Sequence, residues 1–268
     1  LFASIGPEGA GVMLSAHTDV VPVEGQAWTR DPFRLTDEGD RVYGRGTTDM
    51  KGYLAAMLSA ADRAAQRPLK EPLKLAISYD EEVGCIGIAQ MIDALEPAIG
   101  LPRACLVGEP TEMQVAIGHK GKAALRATCH GQAGHSALAP QFVNALHLAT
   151  DFVNGLRGLQ DWLIQHGARD EAYAFPHSTV HVGTLSGGRA LNIVPDRAEL
   201  YFEFRHLAAD DPGMLRNRIE EIADTICATY RDRFAEARIE IEAGFSYPGI
   251  EMDEGAARAR VGLRPEGR

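Results

Sequence analysis

The 268-residue chain has no run of about 18 consecutive apolar residues, which excludes a membrane-spanning helix of ordinary length. Cysteine is scarce. The four present (Cys85, Cys105, Cys129, Cys227) are widely spaced and none forms a C-x-x-C pair. They are therefore expected to be buried, reduced thiols of a cytoplasmic protein, and none sits in a context that marks a nucleophile. Cations are outnumbered, 27 Lys and Arg against 37 Asp and Glu, for a net charge of −10. That balance argues against nucleic acid or an anionic membrane as the main partner. The opening LFASIGPEGAGVML lacks both a basic region and a cleavage signature, so no signal peptide is expected, and it does not begin with Met.

The composition itself, 45% hydrophobic and 24% charged, is that of a globular protein with enough chain for one large domain or two modest ones. The apolar run at 11–16 predicts a strand ending at His17. The Pro-, Gly- and Asp-rich stretch 22–48 reads as loop, with a short β excursion near Arg41–Gly44. The Ala-rich segment 51–67 predicts a helix stopped by Pro68. Further elements follow as a strand at 73–78, a helix at 87–95 and a strand at 103–108. Strand and helix alternating at this spacing predict an α/β unit with a largely parallel sheet.

After about Gly118 the pattern changes. Strands are predicted at 122–131, 178–187, 198–206 and 237–243, and amphipathic helices at 140–160 and 214–234. This β-α-β-β-α-β order is that of a ferredoxin-like domain, and it reads as an insertion spanning 118–243 within a first domain of 1–117 and 244–268.

Acidic residues gather at the ends of the first domain's strands. SAHTDVVP (15–22) carries His17 and Asp19, and GRGTTDMKG (44–52) carries Asp49. SYDEEVG (78–84) carries Asp80, Glu81 and Glu82, and LVGEPT (106–111) carries Glu109. Taken singly, His17 is either a metal ligand or a polar strand end, Asp49 either a ligand or a helix N-cap. Glu81 and Glu82 could form a solvated turn, and Glu109 could be an ordinary loop acid. Taken together they stand where open α/β sheets bind ligands, beyond the carboxyl ends of the strands. Carboxylates crowded in one cleft raise one another's pKa, and a divalent cation removes that cost. One imidazole with several carboxylates suits zinc, or cobalt or manganese.

SAHTDVVP, YGRGTTDMKG, SYDEEVGCIG, VGEPT and GQAGHSA together resemble the two-zinc acetylornithine deacetylase, succinyl-diaminopimelate desuccinylase and aminoacylase family of metallopeptidases. The wording of TTDMKG and SYDEEVGC is nearer the deacetylases than the desuccinylases. The resemblance implies a zinc-exopeptidase-like α/β catalytic domain with an inserted lid and dimerisation domain, hence a homodimer. It implies that His17, Asp49 and Glu109 bind a first metal, and that Asp49 bridges to a second held by Glu82. It also implies a cis peptide bond after Asp49, Asp19 orienting the His17 imidazole, and Glu81 as general base toward a metal-bridging water. His135 would stabilise the oxyanion, and Asn192 and Arg205 would hold the substrate carboxylate. For Arg205 the alternative is a strand-face charge paired on the surface.

The implied reaction is removal of acetate from N-acetyl-L-ornithine. Alternatives are desuccinylation, hydrolysis of another N-acyl amino acid, or a fragment serving only to bind and dimerise. The sequence departs from the family at one point. The second metal site also uses a His near the carboxyl terminus, and none of the nine His follows His206. A family member shortened at both ends, binding one metal well and a second weakly, is therefore expected.

Overall fold

Six of the first eighteen residues form the strand that carries His17, one of the two inner strands of its four-stranded sheet. In the computed structural model, which describes residues 1–252, the chain divides into two compact units, residues 1–116 and residues 117–252. In the first unit the elements are β1 (Phe2–Ile5), β2 (Val12–His17), β3 (Thr36–Asp37), β4 (Val42–Tyr43), α1 (Gly52–Ala65), β5 (Leu73–Ser78), α2 (Ile86–Ile99) and β6 (Ala104–Val107). The main sheet has the order β1-β5-β2-β6. β2 runs parallel to β5 and to β6, with His17 level with Ser78 and Ser15 level with Val107. The loops after these three strands therefore leave the same edge.

Alternation along the strands separates two small cores. Leu14, Ala16 and Leu75 pack with Met57 and Ala61 of α1, whereas Met13 and Ala76 pack with Leu95 of α2. Successive strand side chains point to opposite faces, so each face is covered by its own helix. β1 was not anticipated. It pairs antiparallel with β5, which makes the sheet mixed rather than wholly parallel.

The second unit contains β7 (Gly118–His119), β8 (Gly121–His130), β9 (Gly134–His135), α3 (Ala145–His166), β10 (Thr179–Gly187), β11 (Ile193–Val194), β12 (Arg197–His206), α4 (Pro212–Ala228), β13 (Arg238–Tyr247) and β14 (Ile250–Glu251). Its main sheet is antiparallel throughout, ordered β10-β12-β8-β13, the ferredoxin-like arrangement. Leu148, Phe152 and Leu156 of α3 and Leu215 and Ile219 of α4 bury against Leu125, Ala127, Leu200 and Phe202 of the sheet.

Helix boundaries differ from the periodicity because caps override it. The segment Ser136–Gln141 is a 3₁₀ turn, and α3 begins only after Asn144, whose side chain accepts from Leu146 N. Asp211 caps α4 in the same way, with Pro212 at the first position. The second unit also runs on past residue 243. β13 continues to Tyr247 beyond a bulge, and β14 pairs with β7, so 244–252 belong here, while 253–268 lie outside the described residues.

Among the described residues no helix is long and apolar enough to cross a membrane. The four cysteines form no disulfide. Cys129 and Cys227 are buried, but Cys105 is exposed and Cys85 half-buried, because they lie on the outer side of β6 and in the loop after β5.

Candidate metal centre

Two close approaches hold the loops that leave the sheet edge. Gly87, in the first turn of α2, passes so near the strand end that a Cβ there would lie 1.9 Å from the Tyr79 carbonyl oxygen. Gly108 passes the Tyr53 ring equally closely, and the Tyr53 hydroxyl donates to the Leu106 carbonyl at 3.0 Å. The Asp80–Cys85 loop and Glu109 are thereby held against the ends of their strands.

His17 is buried, and its ring is the hub of the edge. Nδ1 faces acceptors, the Asp19 backbone carbonyl at 3.1 Å and Asp19 Oδ1 at 3.4 Å. Both ring nitrogens face acceptors, so the neutral ring can carry its proton on either; with the proton on Nδ1, Nε2 offers its lone pair to the other side. There it meets Asp49 Oδ1 at 3.2 Å, Glu81 Oε2 at 3.9 Å and Glu109 Oε1 at 3.9 Å. Donor atoms of His17, Asp49 and Glu82 all lie within 4.8 Å of one another. Two donors on one tetrahedral zinc ion stand roughly 3.3 Å apart, given bonds of about 2.0–2.1 Å. The His17–Asp49 separation matches that spacing, and an imidazole with carboxylates is a suitable donor set for such an ion.

The electrostatics are those of a site short of positive charge. Burial pushes the Glu109 carboxyl up, and Asp49, Glu81 and Glu82 push it further, to about 6, against the pull of His17. Glu82 is raised by burial, Asp49 and Glu81. Burial alone would lower the His17 pKa, but Glu81, the Asp49 hydrogen bond, Glu109 and Asp19 outweigh it and raise the net value. Asp19 runs the other way. Burial disfavours its charge, yet the amides of Glu82, Glu81 and Asp19 itself, with His17, hold its carboxyl below the usual range. Asp19 Oδ2 accepts from Glu82 N at 2.9 Å, while Oδ1 is buried and accepts no hydrogen bond among the described residues.

Asp49 is not a helix cap. It sits in a kinked turn, Thr47–Lys51, with a cis bond to Met50, and α1 begins only at Gly52 with Lys51 at the cap position. Nor do Glu81 and Glu82 form a free solvated turn, since the Glu82 amide is tied to Asp19. His17, Asp49 and Glu82 form the tightest trio, with Glu81 and Glu109 around it.

Within the second unit, β9 pairs with β11, so His135 lies opposite Ile193 and Ser136 N donates to the Asn192 carbonyl at 3.1 Å. His135 and Asn192 are thus neighbours. His135 Nδ1 accepts from Ala137 N at 3.1 Å, which leaves the proton of the neutral ring on Nε2. Arg205 is not with them. It lies level with Lys122, at the far end of β8 from His130, roughly 26 Å along the strand at about 3.3 Å per residue. Its Nε donates to Glu203 Oε1 at 2.9 Å. The strand-face ion pair is therefore formed, and a substrate carboxylate would have to compete with Glu203.

Two contacts had no readable signal in the sequence, the Asp19–Glu82 amide bond and the Cys85 thiol at 3.2 Å from Glu81 Oε1. Both depend on which loops the sheet sets side by side.

A mixed α/β unit with a histidine–carboxylate cluster beyond its parallel strands, followed in the described residues by a ferredoxin-like unit, is the build of a metal-dependent exopeptidase or amidohydrolase. The chain belongs to Peptidase family M20/M25/M40, whose sequence profile matches residues 13–261. It is 33% identical over 251 residues to the acetylornithine deacetylase of Klebsiella pneumoniae and spans 63% of that protein's length. A tripeptidase from Staphylococcus aureus superposes with a TM-score of 0.67 at 20% identity, over 98% of this chain and 68% of the other. A dinuclear metal binding peptidase of the M20 family from Bacillus subtilis does so with 0.62 at 18% identity, over 97% and 66%. These superpositions concern the fold.

Proposed function

We propose that the chain carries the metal-binding centre of an amide hydrolase that removes acetate from N2-acetyl-L-ornithine, using zinc or cobalt. The observation that carries the reading is the convergence of His17, Asp49 and Glu82 within 4.8 Å, with Glu81 and Glu109 beside them. The substrate rests on the 33% identity to an acetylornithine deacetylase. His17, Asp49 and Glu109 would hold one ion, and Asp49 and Glu82 would contribute to a second. Bound metal supplies the charge that polarises an amide carbonyl and eases deprotonation of water.

The remaining chemistry falls to the chain's own groups. Asp19 keeps the His17 Nδ1 proton in place, which leaves the Nε2 lone pair to face an ion. Glu81 takes a proton from the attacking water and passes it to the leaving nitrogen. His135, with its proton on Nε2, donates to the developing oxyanion, and the Asn192 side chain holds the substrate beside it. Arg205 binds the substrate carboxylate if that group displaces Glu203. The same reading places the protein in the cytoplasm as a homodimer through the second unit, with a small N-acyl amino acid as its partner.

Acetylornithine hydrolysis with added zinc or cobalt, and with a chelator control, is the test. Chelator-sensitive turnover that collapses in Glu81→Ala, while equilibrium dialysis still finds metal bound, is the expected result. Two tightly held ions per chain would overturn the expectation of one strong and one weak site. Much faster hydrolysis of N-succinyl-diaminopimelate would replace the deacetylase with the desuccinylase.

A further inference from the structure

Cys85 occupies the N-cap of α2, where Ser, Thr, Asp or Asn normally accepts a backbone amide. Its side chain caps nothing there. Its backbone is left-handed, with φ 56° and ψ 30°. It ends a tight turn in which the Gly84 and Cys85 amides both donate to the Glu81 carbonyl, at 2.9 Å and 2.8 Å. The turn carries the Cys85 thiol to Glu81 Oε1 at 3.2 Å, and the other oxygen, Oε2, faces His17 Nε2 at 3.9 Å. The two oxygens of one carboxylate are thus divided between the thiol and the metal centre.

We infer that Cys85 is a positioning residue for Glu81. Its S–H donates to Oε1, fixes the carboxylate plane, and leaves Oε2 turned toward the centre. Thiol suits the task because it is a weak donor: it orients the carboxylate without withdrawing much of its basicity. The role in turnover rests on the reading of Glu81 as general base, whereas the thiol–carboxylate bond does not.

The test compares Cys85→Gly, Cys85→Ser and Glu81→Ala in the full chain with acetylornithine and added zinc. Glycine adopts φ 56° more readily than cysteine, so Cys85→Gly removes the thiol without straining the turn. Loss of one hydrogen bond should lower kcat about threefold to tenfold. KM should stay within about twofold, since only the positioning of the base changes. Cys85→Ser should recover most of the loss, and Cys85→Gly should add nothing in a Glu81→Ala background. If Glu81→Ala abolishes turnover while Cys85→Gly equals the wild type, the base stands and the positioning role falls. If Glu81→Ala retains turnover, or no variant turns over, the S–H stretch decides, read by infrared difference against Cys85→Ser. A band that moves to higher frequency in Glu81→Ala upholds the bond, and an unmoved band overturns it.

Discussion

Asp19 Oδ2 accepts the backbone amide of Glu82 at 2.9 Å, across 63 residues of sequence. The residue two positions after His17 therefore also sets the loop that bears Glu81 and Glu82. One residue thus meets the His17 ring, through its backbone carbonyl at 3.1 Å and its carboxylate at 3.4 Å, and holds the glutamate loop through the other carboxylate oxygen.

Asp19→Ala removes both effects. Metal affinity should fall about 10–100-fold, the usual result of deleting an outer partner of a ligating histidine. A competition titration with a chelating dye measures it. Unchanged affinity would mean that the Asp19 carbonyl alone orients His17.

Stability of the metal-free chain should fall as pH rises through the range in which these groups titrate. Glu109, raised from 4.5 to about 6, is neutral in both states below pH 4.5 and costs stability once it ionises above about 6. His17, raised above 6.5, contributes stability that is full below 6.5 and lost above its folded value. Both hold more protons folded than unfolded, so the slope is negative. Zinc competes with those protons, so the rise in Tm on adding zinc should be larger near pH 7.5 than near pH 5.5. Thermal unfolding with zinc and with chelator checks the sign, and an equal rise at both would contradict it.

Glu109→Gln should stabilise the metal-free chain at neutral pH and weaken its response to metal. The substitution removes a charge that Asp49, Glu81 and Glu82 repel. The side chain is 41% exposed, so solvent screening limits the gain to about 1 kcal/mol or less. Urea unfolding in chelator should show it, and a loss of stability there would refute the crowding.

Gly87→Ala should destabilise the first unit by roughly 3 kcal/mol, because the added Cβ meets the Tyr79 carbonyl at 1.9 Å. A urea midpoint equal to that of the wild type would show that α2 is not seated against the end of β5 in this way.

Much of the molecule was legible because its signals are local. The strand at 73–78 and both unit types follow from periodicity. The motif wording of SAHTDVVP, TTDMKG, SYDEEVGC and VGEPT marked every acid that the sheet later gathers. Helix ends were less legible, since Asn144 and Asp211 set them through single cap bonds that compete with an otherwise continuous apolar pattern. β1 escaped notice because four residues, FASI, carry too short a pattern to separate a strand from a loop.

The sequence by itself determined which residue types stand at the ends of which strands, and so the chemistry available: one imidazole, several carboxylates and a family signature. Only the tertiary structure decided how they are shared. The parallel register of β2 and β5 brings Asp19 to Glu82, the kinked turn before α1 brings Asp49 to His17, and the turn after β5 brings Cys85 to Glu81. The antiparallel sheet of the second unit sets Arg205 beside Glu203 and at the far end of β8 from His130. Hydrophobic periodicity reports what each segment buries, a property of neighbours in sequence. Hydrogen bonds and ion pairs between loops depend on distances of a few ångströms between residues tens of positions apart, and only the folded chain specifies those.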